Sequence, residues 1–152
     1  MKAISIHTLF ATAIALQYKL AEMRSWRTSY RGDILICASK TDYKDKELKD
    51  NYIFGHAIAI ATIIDCVKYQ KELRPICFLD DEIDDKDLEG QYCFILDNIK
   101  AIKPIPIKGQ QRIFNVPLEK KDLEILDIDT YEDPDALFQY WYDNHYIKDL
   151  EL

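Results

Sequence analysis

The four cysteines of this 152-residue chain, Cys37, Cys66, Cys77 and Cys93, form no CxxC pair, and each lies inside an apolar run. That spacing is not one structural zinc sites use, and the thiols read as buried side chains in a reducing compartment. No apolar run reaches the about 20 residues that a membrane helix needs. The opening MKAISIHTLF has one lysine and too short an apolar run for a secretory signal peptide, so cytoplasmic residence is expected. Internal repeats and low-complexity linkers are missing, and one domain over residues 1–152 is expected. The acidic stretch DDEIDDKDLEG, residues 80–90, lacks the ligand spacing of a calcium loop and reads as a solvated loop with at most a turn of helix. None of His7, His56 and His145 stands at a triad spacing from Ser39. No metal or cofactor is implied.

Positive charge is also short, with 20 Lys and Arg against 27 Asp and Glu for a net charge of −7. A protein that coats nucleic acid over its whole surface is thereby disfavoured. The charge is uneven, however. Lys2, Lys19, Arg24, Arg27 and Arg31 face a single acid, Glu22, before Gly32, whereas residues 119–152 are strongly acidic. An exposed charge is felt over only about 8 to 10 Å at physiological salt, so a local basic face can act on an acidic body.

What the chain has is the composition of an ordinary globule, 48% hydrophobic and 31% charged. A chain of this length buries roughly 70% of the surface its unfolded form exposes, enough to fold without metal or disulfide. Residues 2–6 alternate as a short strand, and Thr8 is placed to cap a helix with Leu9, Phe10, Ala13, Ile14 and Leu16 on one apolar stripe. The stretch from Gln17 to Lys40 reads as a hairpin. Its first strand carries Glu22, Arg24 and Trp26 on one face, Tyr30 to Gly32 make the turn, and Asp33 to Ala38 form the second strand.

Residues 41–51 are polar and charge-rich, a surface loop or short helix. The β-branched run Tyr52 to Tyr69 predicts a long bent strand across the core. Residues 91–107 predict a strand pair, with Asp97 and Asn98 at a turn or bulge and Pro104 and Pro106 at an edge. A short strand follows at Arg112 to Val116. Asp133 then Pro134 opens a C-terminal helix through about Tyr146, whose aromatic residues are expected to pack on the sheet. Strands at short spacing framed by an early and a late helix make an α+β fold, a small mixed β-barrel with both helices packed outside.

The blocks MKAISI, YKLAEMRSWRT, YRGDILICASK, GHAIAIATIIDC and GQYCFILDNIKAIKPIPIKGQQRIFNV stand in an order that resembles the ASCH domain, a branch of the PUA-like superfamily. The resemblance covers about residues 1–116, leaving 117–152 as a C-terminal extension. It rests chiefly on Lys19 followed at three and five positions by Glu22 and Arg24, with Trp26 and the YRG turn behind, Ala38 and Ser39 ending a strand, and Lys108, Gly109 and Gln110 later. It implies a PUA-like barrel with a cleft at the Lys-Glu-Arg motif that binds RNA or a modified nucleoside, lined by Lys19, Glu22, Arg24, Trp26, Ser39 and Lys40. Some relatives are hydrolases, of which one subgroup cleaves acyl amides on modified cytidine with the motif lysine and a threonine three residues later. Here Glu22 holds that threonine position, which removes the expected nucleophile.

Each residue has a plain structural reading beside the functional one. Lys19 is a phosphate contact, a desolvated base or nucleophile, or a solvated surface lysine. Glu22 and Arg24 either pair with each other or serve a ligand, the arginine fork gripping phosphate or a base edge and the carboxylate acting in acid–base chemistry if burial raises its pKa. Trp26 is a stacking face or a core tryptophan. Ser39 and Lys40 close the hairpin mouth. Lys108 beside Gly109 brings a cation and backbone amides towards a phosphate. Three readings remain: a binding module for RNA or a modified nucleotide, a metal-independent hydrolase with Lys19 and Glu22 as reacting pair, and a protein-interaction module using the acidic C-terminal third.

Overall fold

The structure, a computed structural model, describes residues 1–40, 51–126, 128–131, 133–144 and 146. Seven strands, β1 (Lys2–Ile6), β2 (Ala21–Arg24), β3 (Gly32–Ala38), β4 (His56–Lys68), β5 (Tyr92–Pro106), β6 (Ile113–Asn115) and β7 (Ile125–Leu126), form one sheet in the order β2-β5-β4-β3-β1-β6, with β7 on β5. Among the described residues three α-helices accompany them: α1 (Thr8–Ala15), the single turn α2 (Arg74–Cys77) and α3 (Pro134–Asp143). The pairing is mixed, as expected: β1 runs parallel to β3, whereas the other pairs are antiparallel. The expected polar loop at 41–51 falls, but for Asn51, outside the described residues, as does His145.

β3 shows why the sheet is apolar on both faces. Its successive side chains point to opposite sides. Ile34, Ile36 and Ala38 join a core with Ile14 of α1, Phe94, and Leu137 and Trp141 of α3, while Leu35 and Cys37 pack on the other side with Ile102 and Phe114. A strand buried on both faces loses its hydrophobic alternation. Helix α3 starts where expected, with the Asp133 carboxylate accepting from the Ala136 amide and Pro134 in the first turn, but it ends at Asp143 rather than near Tyr146.

Three expectations are corrected. The hairpin does not form: β2 pairs with β5, and β3 pairs with β1 and β4, so two strands separate the predicted partners. The connection after Arg24 is held by its own bonds, with Arg31 donating to the Thr28 and Tyr30 carbonyls and the Tyr30 hydroxyl to the Asp33 carbonyl, and it carries the chain away from β2. The strand pair expected over residues 91–107 is one strand, Tyr92–Pro106. Asn98, at φ 50°, absorbs an extra residue as a bulge, since Thr62 pairs with Asp97 and Ile60 with Lys100. Finally, His7 and not Thr8 caps α1, its Nδ1 accepting from the Leu9 amide, while Thr8 Oγ1 donates to the Ile53 carbonyl. The buried face of α1 is accordingly Thr8 and Ala11 to Ala15, and Phe10 is left 37% exposed.

The sheet curls far enough to bring its ends together. Arg24 pairs with Tyr92 at the start of β5, yet its Nη2 donates to the Ser5 carbonyl of β1 at 2.8 Å, four strands along the order. That bond spans the mouth in which the candidate site lies.

Candidate functional site

Two neighbouring cavities open beside Arg24. The larger, of about 1190 Å³, is framed by the ends of β1 and β3, the start of β4, and the segment leading from β5 to β6. Arg24, Lys40, Lys108 and Arg112 line it, and among the described residues no carboxylate does. The smaller, of about 390 Å³, is lined by Lys19, Glu22, Phe10, Phe78 and their neighbours, and shares Ser5, Arg24 and Ser39 with the larger.

Of the residues singled out from sequence, Arg24, Trp26, Ser39, Lys40 and Lys108 line the larger cavity, while Lys19 and Glu22 line the smaller. β2 makes this division. Ala21 packs against Cys77 and Cys93 on one side, and Glu22, 6% exposed, faces the smaller cavity on the other. The Glu22 carboxylate lies 3.1 Å from Arg24 Nη2, and its other oxygen is 3.7 Å from Lys19 Nζ. The same guanidinium thus bonds Glu22 and Ser5, which fixes Arg24 at the junction of the cavities.

Lys19 is not a solvated surface lysine. It is 3% exposed, its ammonium donates to the Cys77 carbonyl at 2.6 Å, and it stands 5.2 Å from the centre of the Phe10 ring. Burial pulls its pKa below the ordinary lysine value, and the Glu22 carboxylate opposes that pull. A desolvated lysine beside a carboxylate is suited to proton exchange as well as to binding.

Trp26 follows the end of β2 and is partly buried. The Phe94 ring meets it edge-on at 5.1 Å, and the Arg112 guanidinium lies over its ring at 4.9 Å. A stacked guanidinium of this kind contributes about 0.5 to 1 kcal/mol when exposed, and more once desolvated.

Two glycines give the larger cavity its shape. Gly55, at φ 70°, donates its amide to the Ala38 carbonyl and accepts from the Ile107 amide, and the Lys40 side chain lies where a Cβ would stand. At Gly109 a Cβ would come within 2.8 Å of Ser5 Oγ. Cys37 lines the same wall as an inert thiol, its pKa pushed by burial to about 12.

Sequence reasoning missed Arg112 and Gln111, which line the larger cavity beside Lys108 and Gln110. The signal was present in the polar run KGQQR directly after Pro106 and Ile107, where an apolar strand gives way to two cations and two amides within five residues. No group of three His, Cys, Asp or Glu side chains among the described residues is arranged to hold a metal ion. Nor, among those residues, is any helix long and apolar enough to cross a membrane.

Comparison with known proteins places this architecture. Crystal structures of the ASCH protein from Zymomonas mobilis share the fold. The unaltered protein superposes with a TM-score of 0.58 at 20% identity, covering 80% of this chain and 89% of that one. Two point mutants of it give TM-scores of 0.58 and 0.55 at 20% and 21% identity, over 80% of this chain and 91% and 89% of theirs. Curated proteins yield no match. The family profile described as the ASCH domain matches residues 4–105, from the first strand to the end of β5, and the chain therefore belongs to the ASCH domain family.

Proposed function

We propose that the larger cavity binds the phosphate of RNA or of a modified nucleotide. The observation that carries this reading is the gathering of Arg24, Lys40, Lys108 and Arg112, with no carboxylate among the described lining residues, on a chain of net charge −7. Four cations in one concavity raise the local concentration of an anion and strengthen its hold. Arg112 supplies a planar fork for phosphate oxygens, Lys40 and Lys108 act as point charges, and Arg24, held by Glu22 and the Ser5 carbonyl, adds its charge at the cavity's edge. Gln110, Gln111 and Ser39 add neutral polar groups, which suit sugar hydroxyls and base edges. ASCH membership supports a nucleic-acid ligand over a free inorganic anion.

The test is a titration of a labelled single-stranded RNA at several salt concentrations. Each phosphate contact on a single strand contributes about −0.7 to the slope of log K against log salt, so four cations predict a slope near −3. Lys108→Ala and Arg112→Ala should each weaken binding and reduce that slope. Salt-independent binding, or unchanged affinity in both variants, contradicts the reading.

A second reading, hydrolysis of RNA or an acylated nucleoside, is favoured by one observation: Lys19 is buried with a lowered pKa beside Glu22. In that case Lys19 and Glu22 exchange the proton that water loses and the leaving group gains. It requires turnover without added metal that disappears in Glu22→Gln while binding persists. A panel of short RNAs and acylated cytidines left intact would eliminate it.

A further inference from the structure

We propose that Cys77 and Cys93 are a redox pair, closed by hydrogen peroxide into a disulfide that resets the position of Lys19. The inference stands apart from the phosphate reading above. The two sulfurs lie 3.8 Å apart although the residues are 16 positions apart in sequence, and both side chains are buried. With Ala21 of β2 they form a small core of their own.

The elements on either side hold the pair ready. Cys93 is fixed within the sheet, since β5 pairs there with Met23 of β2 and with Val67 of β4. Cys77 ends α2, a single turn whose start is anchored by Arg74, which donates to the Asp85 carboxylate and to the Asp80 and Ile83 carbonyls. Its end is tied by two bonds, from the Leu20 amide to the Ile76 carbonyl at 2.9 Å and from the Lys19 ammonium to the Cys77 carbonyl at 2.6 Å. A disulfide needs about 2.0 Å between its sulfurs, and a lone helical turn yields more readily than a strand paired on both sides. Closure therefore draws the end of α2 towards β5. With it moves the carbonyl that holds Lys19.

Cys77 is the attacking sulfur. The Cys93 thiol donates to it, and this bond, helped by the charge of Lys19, holds the Cys77 pKa below the ordinary thiol value against the opposing effect of burial, while that of Cys93 is pushed up. The Cys77 thiolate takes one oxygen of the peroxide, so that an S–O bond forms, the O–O bond breaks and hydroxide leaves. The Cys93 sulfur then attacks Cys77: the S–S bond forms, the S–O bond breaks, and the departing hydroxide takes the Cys93 proton as water. The two thiols lose two electrons and two protons in all, and the peroxide becomes two waters. Hydrogen peroxide is little larger than water, and the smaller cavity brings it to Lys19 and to Phe78 and Leu79, which directly follow Cys77.

Treatment of the full chain with stoichiometric hydrogen peroxide tests this. Two of the four thiols should be lost. After tryptic cleavage at Lys86, which lies between the two cysteines, the peptides carrying Cys77 and Cys93 should stay joined, lighter than their sum by two hydrogens, and dithiothreitol should part them. In protein labelled with carbon-13 lysine, the Lys19 Cε resonance, assigned by its loss in Lys19→Met, should move on oxidation and return on reduction. Cys77→Ala keeps the carbonyl and removes the sulfur, so there the resonance should not respond to peroxide. Peptides that separate without reductant, or that are joined through Cys66 instead, overturn the pair. A joined pair with an unmoved Lys19 resonance, or a resonance that moves as far in Cys77→Ala, overturns the switch.

Discussion

Gly55→Ala separates stability from ligand binding at a single position. The residue sits at φ 70°, where an L-amino acid carries a strain of roughly 1 to 2 kcal/mol, partly offset by about 0.4 to 1 kcal/mol from the stiffer unfolded chain. The net loss is about 1 kcal/mol, which lowers Tm by roughly 2 to 4 °C in a chain of this size. The added methyl also overlaps the Lys40 side chain at Cε. That end is flexible and moves at little cost, so the ammonium is pushed from the cavity wall. Loss of one phosphate contact should then flatten the salt slope for single-stranded RNA by about 0.7. Thermal melts and anisotropy titrations of wild type, Gly55→Ala, Lys40→Ala and the double variant form a cycle. Gly55→Ala should lower Tm in both backgrounds, yet change the slope only where Lys40 is present. A slope that stays at the wild-type value in Gly55→Ala, with Tm lowered, refutes the claim that Gly55 seats Lys40 against the ligand.

Three further outcomes follow from the buried groups. The pKa of Lys19 is lower in the folded chain than in the unfolded one, so the native state binds fewer protons between that lowered value and 10.5, and stability attributable to Lys19 rises with pH across this window. In urea titrations at rising pH, wild type should therefore gain on Lys19→Met, and a constant difference would contradict the burial argument. Trp141 is 1% exposed, and its Nε1 has no hydrogen-bond partner among the described residues. Trp141→Ala should cost about 3 to 5 kcal/mol by denaturation, whereas Trp141→Phe should cost far less, because no hydrogen bond is lost; equal costs would refute this. Among the free thiols, Cys66 is partly exposed and Cys37, Cys77 and Cys93 are buried. Mass spectrometry after brief alkylation of the native protein should find Cys66 modified first, and early labelling of Cys37 would contradict the packing.

The sequence carried the fold where signals are local. The alternation of residues 2–6, the β-branched run that becomes β4 and the Asp133–Pro134 start of α3 each depend on neighbours in the chain, and each appears close to where it is expected. What failed depended on distant partners. β2 and β3 lie near each other in sequence, and only the intervening pairing with β5 and β4 shows that they are not neighbours. Asp97 and Asn98 were open to a turn or a bulge, and only the continued pairing with β4 on both sides selects the bulge and makes one strand of the expected pair. The candidate site was legible as a set of residue types around the Lys-Glu-Arg motif. Its division into two cavities was not, because that depends on the burial of Lys19 under α2 and on the curl that brings Arg24 to Ser5. Arg112 escaped notice for a related reason: its stacking on Trp26 joins positions 86 residues apart.

Amide-shift mapping of isotope-labelled protein, titrated with a short single-stranded RNA, tests the central claim most directly. The account predicts saturable shifts concentrated at Ser39, Gly55 and Lys108 to Arg112, with the acidic loop at residues 80–90 and helix α3 unmoved. Shifts centred on α3 or the acidic loop, or a spectrum unchanged by RNA at low salt, would contradict it.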